Sequence, residues 1–132
     1  MAEFNITAYK GRTTDFQFTI YQADGVTGAA LDSGDVVRFK MGTSFGVAPS
    51  LDIDSVAPTT NGSLVTINQS TAPAKATIRF AQADMALLKD RVYLGELSVV
   101  DNSETAPADA IKHAQEGTVY VQSSLGGDVG VS

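Results

Sequence analysis

The sequence predicts an all-β domain: an antiparallel sandwich of immunoglobulin-like class with seven or eight short strands and one short helical turn near residues 82–89. Three observations carry that expectation. Apolar side chains recur with a period of two along several short runs, beginning with Phe16, Phe18 and Ile20. The runs are separated by segments rich in Gly, Asp, Asn and Pro, which favour turns. The run at helical spacing, AQADMALLKD, is too short to stand alone, so it is expected to make one or two turns that plug the end of the sandwich.

Taken in order, DFQFTIY reads as a half-buried strand, with Gln17, Thr19 and Tyr21 opposite the apolar three. QADGVTGAALDSGD is a turn and loop. In VVRFKM, Val37, Phe39 and Met41 alternate with Arg38 and Lys40, giving a strand with a charged outer face. GTSFGVAP breaks it, and SLDID forms a short strand with Leu51 and Ile53 on one face. APTTNGS is a turn, in which Asn61-Gly62 is the strongest short turn signal of the chain. LVTIN and KATIRF are strands, the second with Ile78 and Phe80 opposite Thr77 and Arg79. In the helical run, Ala83, Ala86 and Leu87 share the apolar spacing. RVYLGELSVVD places Tyr93, Gly95, Leu97 and Val99 on one face. NSETAPADAIKHAQE, residues 102–116, reads as a long polar loop. GTVYVQS closes the sandwich, with Val119 and Val121 inward and Thr118, Tyr120 and Gln122 outward. One domain is expected over residues 1–123, followed by a flexible Gly/Ser-rich tail at 124–132 that orders on a partner. With no Trp and no cysteine, an antibody-type core is excluded.

Composition narrows the function classes. A chain of 132 residues with 43% hydrophobic content can bury a core without disulfides. Its net charge of −6 argues against a nucleic-acid partner, which would favour a basic surface. No charged n-region precedes an apolar run at the start, and no segment approaches the ~20 apolar residues of a spanning helix, so neither export nor a membrane is expected.

Candidate chemistry is sparse. His113 is the only histidine, and no G-x-S-x-G elbow accompanies it. Asp52 and Asp54 share a strand face and are the metal candidates, together with Asp32 and Asp35 about Gly34, yet no calcium-loop spacing is present and solvated carboxylates are the better reading. Glu96 lies on an outer strand face without a visible apolar pocket to raise its pKa. The N-x-S/T triplets at Asn5, Asn61 and Asn68 lack a secretory context, and the glycines form no phosphate-cradling loop. No catalytic group and no cofactor are expected. The outward Thr19, Tyr21, Thr77, Thr118, Tyr120 and Gln122 suit strands sterically and also make hydrogen-bonding contact surfaces.

One resemblance spans nearly the whole chain. Gly11, Asp24-Gly25, Asp84, Leu87-Leu88, Tyr93, Leu97, Val99, Asp101 and Gly117-Thr118-Val119 fall in an order that resembles the small immunoglobulin-like β domains encoded among the virion genes of tailed bacteriophages. That group includes head-decorating and fibre-base proteins and the N-terminal parts of baseplate upper proteins. The long 102–116 segment and the Gly-rich tail depart from the pattern. The resemblance implies a non-enzymatic virion component, made in the host cytoplasm. It would decorate and cement a capsid or anchor a head fibre, bind the major capsid protein or other virion proteins, and act as a homo-oligomer. A baseplate or tail-fibre adaptor is the alternative within the family. Outside it stands a carbohydrate-binding module with Tyr9, Tyr21 or Tyr120 as a stacking platform and acidic residues holding Ca²⁺; an enzyme ranks last. The expected partner contacts are Tyr120, Gln122, Leu125 and Val129, within the segments 102–116 and 117–132.

Overall fold

The computed structural model describes residues 3–22, 24–44, 48–101 and 110–123. It is an all-β sandwich of eight strands in two packed sheets with one short helical turn. The strands are β1 (Glu3–Lys10), β2 (Thr14–Thr19), β3 (Val36–Gly42), β4 (Leu51–Asp54), β5 (Leu64–Gln69), β6 (Lys75–Phe80), β7 (Arg91–Asp101) and β8 (Ala110–Ser123), and the helical turn α1 (Gln82–Met85) lies between β6 and β7. The larger sheet has the order β1-β8-β7-β3-β4 and the smaller one β2-β6-β5. The strand pairs are antiparallel except β1 with β8, which run parallel from Glu3 opposite Glu116 to Lys10 opposite Ser123.

The period-two pattern places the core correctly. Val37, Phe39 and Met41 of β3, Ile53 of β4, Ile78 and Phe80 of β6, Leu97 and Val99 of β7, and Val119 and Val121 of β8 are all buried. Phe39 is the centre of an aromatic cluster that joins the sheets. Its ring lies 5.9 Å from Phe4, 6.3 Å from Phe18 and 5.5 Å from Phe80, in the spacing that favours ring pairs.

Two strand segments are absent from the pattern-based reading. The first is β1, whose Phe4 and Ala8 are buried and whose Ile6 packs against the core. The second is the beginning of β8. Residues 110–116, expected within a polar loop, continue the strand opposite β7. Polarity hid it, because the inward positions there are not apolar. Gln115 sits opposite Leu97 and is buried, and its Oε1 accepts the Tyr21 backbone N–H at 3.1 Å. A buried amide with a partner is tolerated where an unpartnered one would be costly. His113, opposite Val99, is therefore a strand residue. The rest of the expected loop, 102–109, and the tail 124–132 lie outside the described residues.

The helical turn also differs from its expected face. Asp84, Met85 and Leu88 are buried, whereas Ala83 and Ala86 are exposed and Leu87 is 79% exposed. The carboxylate of Asp84 fixes that rotation by its bonds to the β4–β5 connection, described below, and Met85 and Leu88 then fall into the core. At the Asn61-Gly62 turn, Gly62 takes φ +99°, and its N–H donates to the Thr59 carbonyl at 2.9 Å. A side chain at that φ would be strained.

Phe4 reaches the core across two glycines. Gly117 of β8 pairs with Phe4 on one side and with Gly95 of β7 on the other. A Cβ on Gly117 would stand 2.1 Å from the Phe4 carbonyl oxygen and 2.6 Å from its ring. Gly117→Ala is therefore expected to force β1 away from β8, lowering stability by about 2–3 kcal/mol or more. Chemical denaturation measures it, and a loss within ~0.5 kcal/mol, the range of an ordinary surface change, would contradict this packing.

Candidate interaction surface

The outward residues of β1, β8, β7, β3 and β4 form one broad face. Register places them in rows across the sheet. Thr7, Tyr120 and Val92 make one row, and Asn5, Thr118 and Leu94 make the next. Below them, Glu116, Glu96, Lys40 and Asp52 follow one another from β8 to β4. The face thus has an uncharged part built on Tyr120, which is 45% exposed, and Val92, which is 53% exposed. A charged row borders it. Within the uncharged part the Thr118 hydroxyl donates to the Asn5 side-chain oxygen, linking the two side chains across the β1–β8 pair.

Of the expected contact residues, Tyr120 and Gln122 lie on this face, Gln122 half-buried opposite Tyr9, while Leu125 and Val129 lie outside the described residues. The three candidate stacking tyrosines separate. The Arg12 guanidinium covers the Tyr9 ring at 4.5 Å from its centroid. Tyr21 is half-buried in a bridge to Gly28. Tyr120 presents its ring to solvent beside Val92. Val92, Thr7 and Leu94 were not singled out from the sequence; the alternation of β7 marks Val92 as outward, but only the register brings it beside Tyr120.

The acidic candidates are engaged elsewhere. Asp52 accepts from the Arg38 guanidinium at 3.2 Å. Asp54 Oδ1 accepts the backbone N–H groups of Val56 and Ala57 at 2.9 and 3.1 Å. Asp32 and Asp35 converge on the Lys112 ammonium at 2.8 and 3.0 Å, and Asp35 is buried. Hydrogen bonds to Asp32 and Asp35 push the Lys112 pKa up. This triad ties the start of β8 to the loop before β3. Among the described residues, no group of three or more His, Cys, Asp or Glu is placed to hold a metal ion, and no helix is long and apolar enough to cross a membrane.

The most concentrated polar network surrounds Asp84. Its carboxylate accepts from Thr59 Oγ1 at 2.6 Å, from Asn61 Nδ2 at 2.9 Å and from the Ser63 hydroxyl. Ser63 Oγ in turn accepts the Ala81 N–H at 2.9 Å, and Thr59 Oγ1 accepts the Ser63 N–H at 3.0 Å. Burial raises the Asp84 pKa, but the bonds from Ser63, Thr59 and Asn61 together outweigh it and hold the pKa below the usual carboxylate value. Every donor is internal to the fold, so this carboxylate organises the end of the sandwich. Asp84 itself lines an open depression at this end of the sandwich, together with Ser50, Leu51, Leu87, Arg91 and Tyr93.

No protein-family model matches this chain, and no curated protein matches it.

Proposed function

We propose that this chain is a non-enzymatic structural protein of a tailed-phage virion. It decorates and cements the capsid, or anchors a head fibre, by laying the outer face of its larger sheet on the major capsid protein. The observation that carries the reading is the uncharged Tyr120–Val92–Thr7 row, exposed on the larger sheet and bordered by charge. A tyrosine beside an aliphatic side chain, rimmed by polar groups, has the composition of a protein-binding patch. The sequence resemblance set out above supplies the virion context. Many weak contacts of this kind gain strength by repetition over a shell.

The test is co-sedimentation with empty capsids of the phage that carries the gene. Replacing Val92 and Tyr120 together by aspartate is expected to weaken binding by about tenfold or more. The two aspartates would stand opposite one another in the β7–β8 ladder and lower stability by roughly 1–2 kcal/mol, so folding of the variant is measured beside binding. Undiminished binding by a folded double variant would sink the proposal. Imaging of the particle separates the head from the baseplate or tail-fibre position. The bare ring of Tyr120 also favours a second reading, carbohydrate binding by stacking. A glycan array in which Tyr120→Ala alone abolishes a signal would select it.

A further inference from the structure

The network around Asp84 contains the one asparagine–glycine step of the chain. Asn61 and Gly62 are both exposed, in the turn between β4 and β5. Glycine has no Cβ to keep its backbone nitrogen away from the carboxamide of the residue before it, so this step is the most reactive place for an asparagine to lose its amide. Nothing lies within 4 Å of where a Gly62 Cβ would stand, so no neighbour crowds the approach. The other asparagines precede Ile6, Gln69 and Ser103, which carry side chains, and Asn5 and Asn68 lie within β1 and β5. The same Asn61 amide serves the fold. Its Nδ2 donates to Asp84 Oδ1 at 2.9 Å, while Thr59 and Ser63 donate to Oδ2. Asp84 is only 8% exposed. An oxygen in place of that nitrogen would set one carboxylate against another.

We propose that Asn61 is a modification site: it loses its amide spontaneously, and the carboxylate that results unlocks the helical-turn end of the sandwich. In the reaction the Gly62 nitrogen gives its proton to hydroxide and attacks Asn61 Cγ. The N–Cγ bond forms, the Cγ–Nδ2 bond breaks, and ammonia leaves with a proton from water. Water then opens the five-membered imide at either carbonyl, giving aspartate or isoaspartate. Solvent supplies that water at an exposed turn, and loss of ammonia makes the change one-way. Two bonds delay it. The Gly62 N–H is held by the Thr59 carbonyl at 2.9 Å, and Asn61 Nδ2 is held by Asp84. Both must open before Cγ and the nitrogen can meet, so the reaction draws on a locally opened turn. Once it has occurred, Asp84 Oδ1 has lost a donor and gained a like charge. The other two partners of Asp84 also hold backbone, since Thr59 Oγ1 accepts the Ser63 N–H and Ser63 Oγ accepts the Ala81 N–H. Loosening therefore spreads from the turn to the start of α1. No residue of the Tyr120 face takes part, so the site stands whether or not the capsid reading does.

The test ages the chain at mildly alkaline pH, folded and in guanidinium chloride, and follows each asparagine by peptide mass mapping. In denaturant Asn61 should convert ahead of Asn5, Asn68 and Asn102. In the folded chain it should still convert first, but about tenfold or more slowly than in denaturant, because two bonds must open. Equal rates at Asn61 in the two conditions, or a folded chain that keeps Asn61 while another asparagine converts, overturns the proposal. The consequence is read separately. Asn61→Asp should melt about 5–10 °C below the parent. Asn61→Ala removes the same donor without adding charge and should lose less. An aspartate variant as stable as the alanine one contradicts the unlocking. If the aspartate variant fails to fold, amide exchange in the aged wild-type chain decides. Ser63 and Ala81 should exchange about tenfold faster than in fresh protein, with the β3–β7 ladder unchanged. An unaltered exchange pattern at those two amides overturns the proposal.

Discussion

Phe39→Ala should unfold at a melting temperature about 10–15 °C below the parent, from a loss of about 3–5 kcal/mol. Phe39 has no exposed surface and sits between Leu97 and Ile53 in the register of the larger sheet. Its ring meets those of Phe4, Phe18 and Phe80. These three partners come from strands of both sheets, so the cavity left by alanine borders every layer of the core. Backbone on both sides is held by strand ladders, which limits collapse into the void, and the cavity term adds to the lost transfer energy. Urea denaturation checks the prediction through a lower midpoint at unchanged slope. A loss under ~1 kcal/mol would mean that the two sheets do not pack around this ring.

Asp84→Asn is the second large effect, a loss of about 2–4 kcal/mol at neutral pH. The substitution keeps the size and removes the charge. One carboxylate now takes three side-chain donors, from Thr59, Asn61 and Ser63. An amide offers a single acceptor oxygen, and its NH₂ would face groups that are already donors, so buried polar atoms are left unpaired. Acid distinguishes this from a packing defect. The folded-state pKa of Asp84 lies below the unfolded value. Its contribution is therefore complete above the unfolded carboxylate pKa of ~3.9 and is lost as pH falls through the lower folded value. The stability gap between parent and variant should be wide at pH 7 and should shrink at pH values below about 4. A gap of constant size across that range would assign the effect to shape alone.

Much of the architecture was legible because a sheet buried on one face demands alternation. The inward residues of β3, β6 and β7 could be named from spacing, and so could the turn at Asn61-Gly62, where a positive φ requires glycine. The start of β8 was not legible, because Gln115 occupies an inward position and is satisfied by the backbone of Tyr21, a residue 94 positions away. The face of α1 was misjudged for a similar reason. Ala83, Ala86 and Leu87 have the apolar spacing, but Asp84 is the residue with three waiting donors, and a short turn follows its strongest bonds. The carboxylate pairs read as metal candidates illustrate the same limit. Spacing gave Asp52 and Asp54 a common face, and the partners that engage them, Arg38 and the backbone at Val56 and Ala57, are set by folding.

Sequence alone determined which side chains turn inward in most strands, since the two-residue period is a property of extended backbone itself. It also determined that neither disulfides nor thiolate chemistry could contribute, since the chain has no cysteine. Only the tertiary structure decided which strands are neighbours. The parallel pairing of β1 with β8 brings Thr7 beside Tyr120, more than 100 residues apart, and the strand order leaves the uncharged β5 at an edge. Pairing is a long-range choice made by total burial and hydrogen bonding, and no local pattern encodes it.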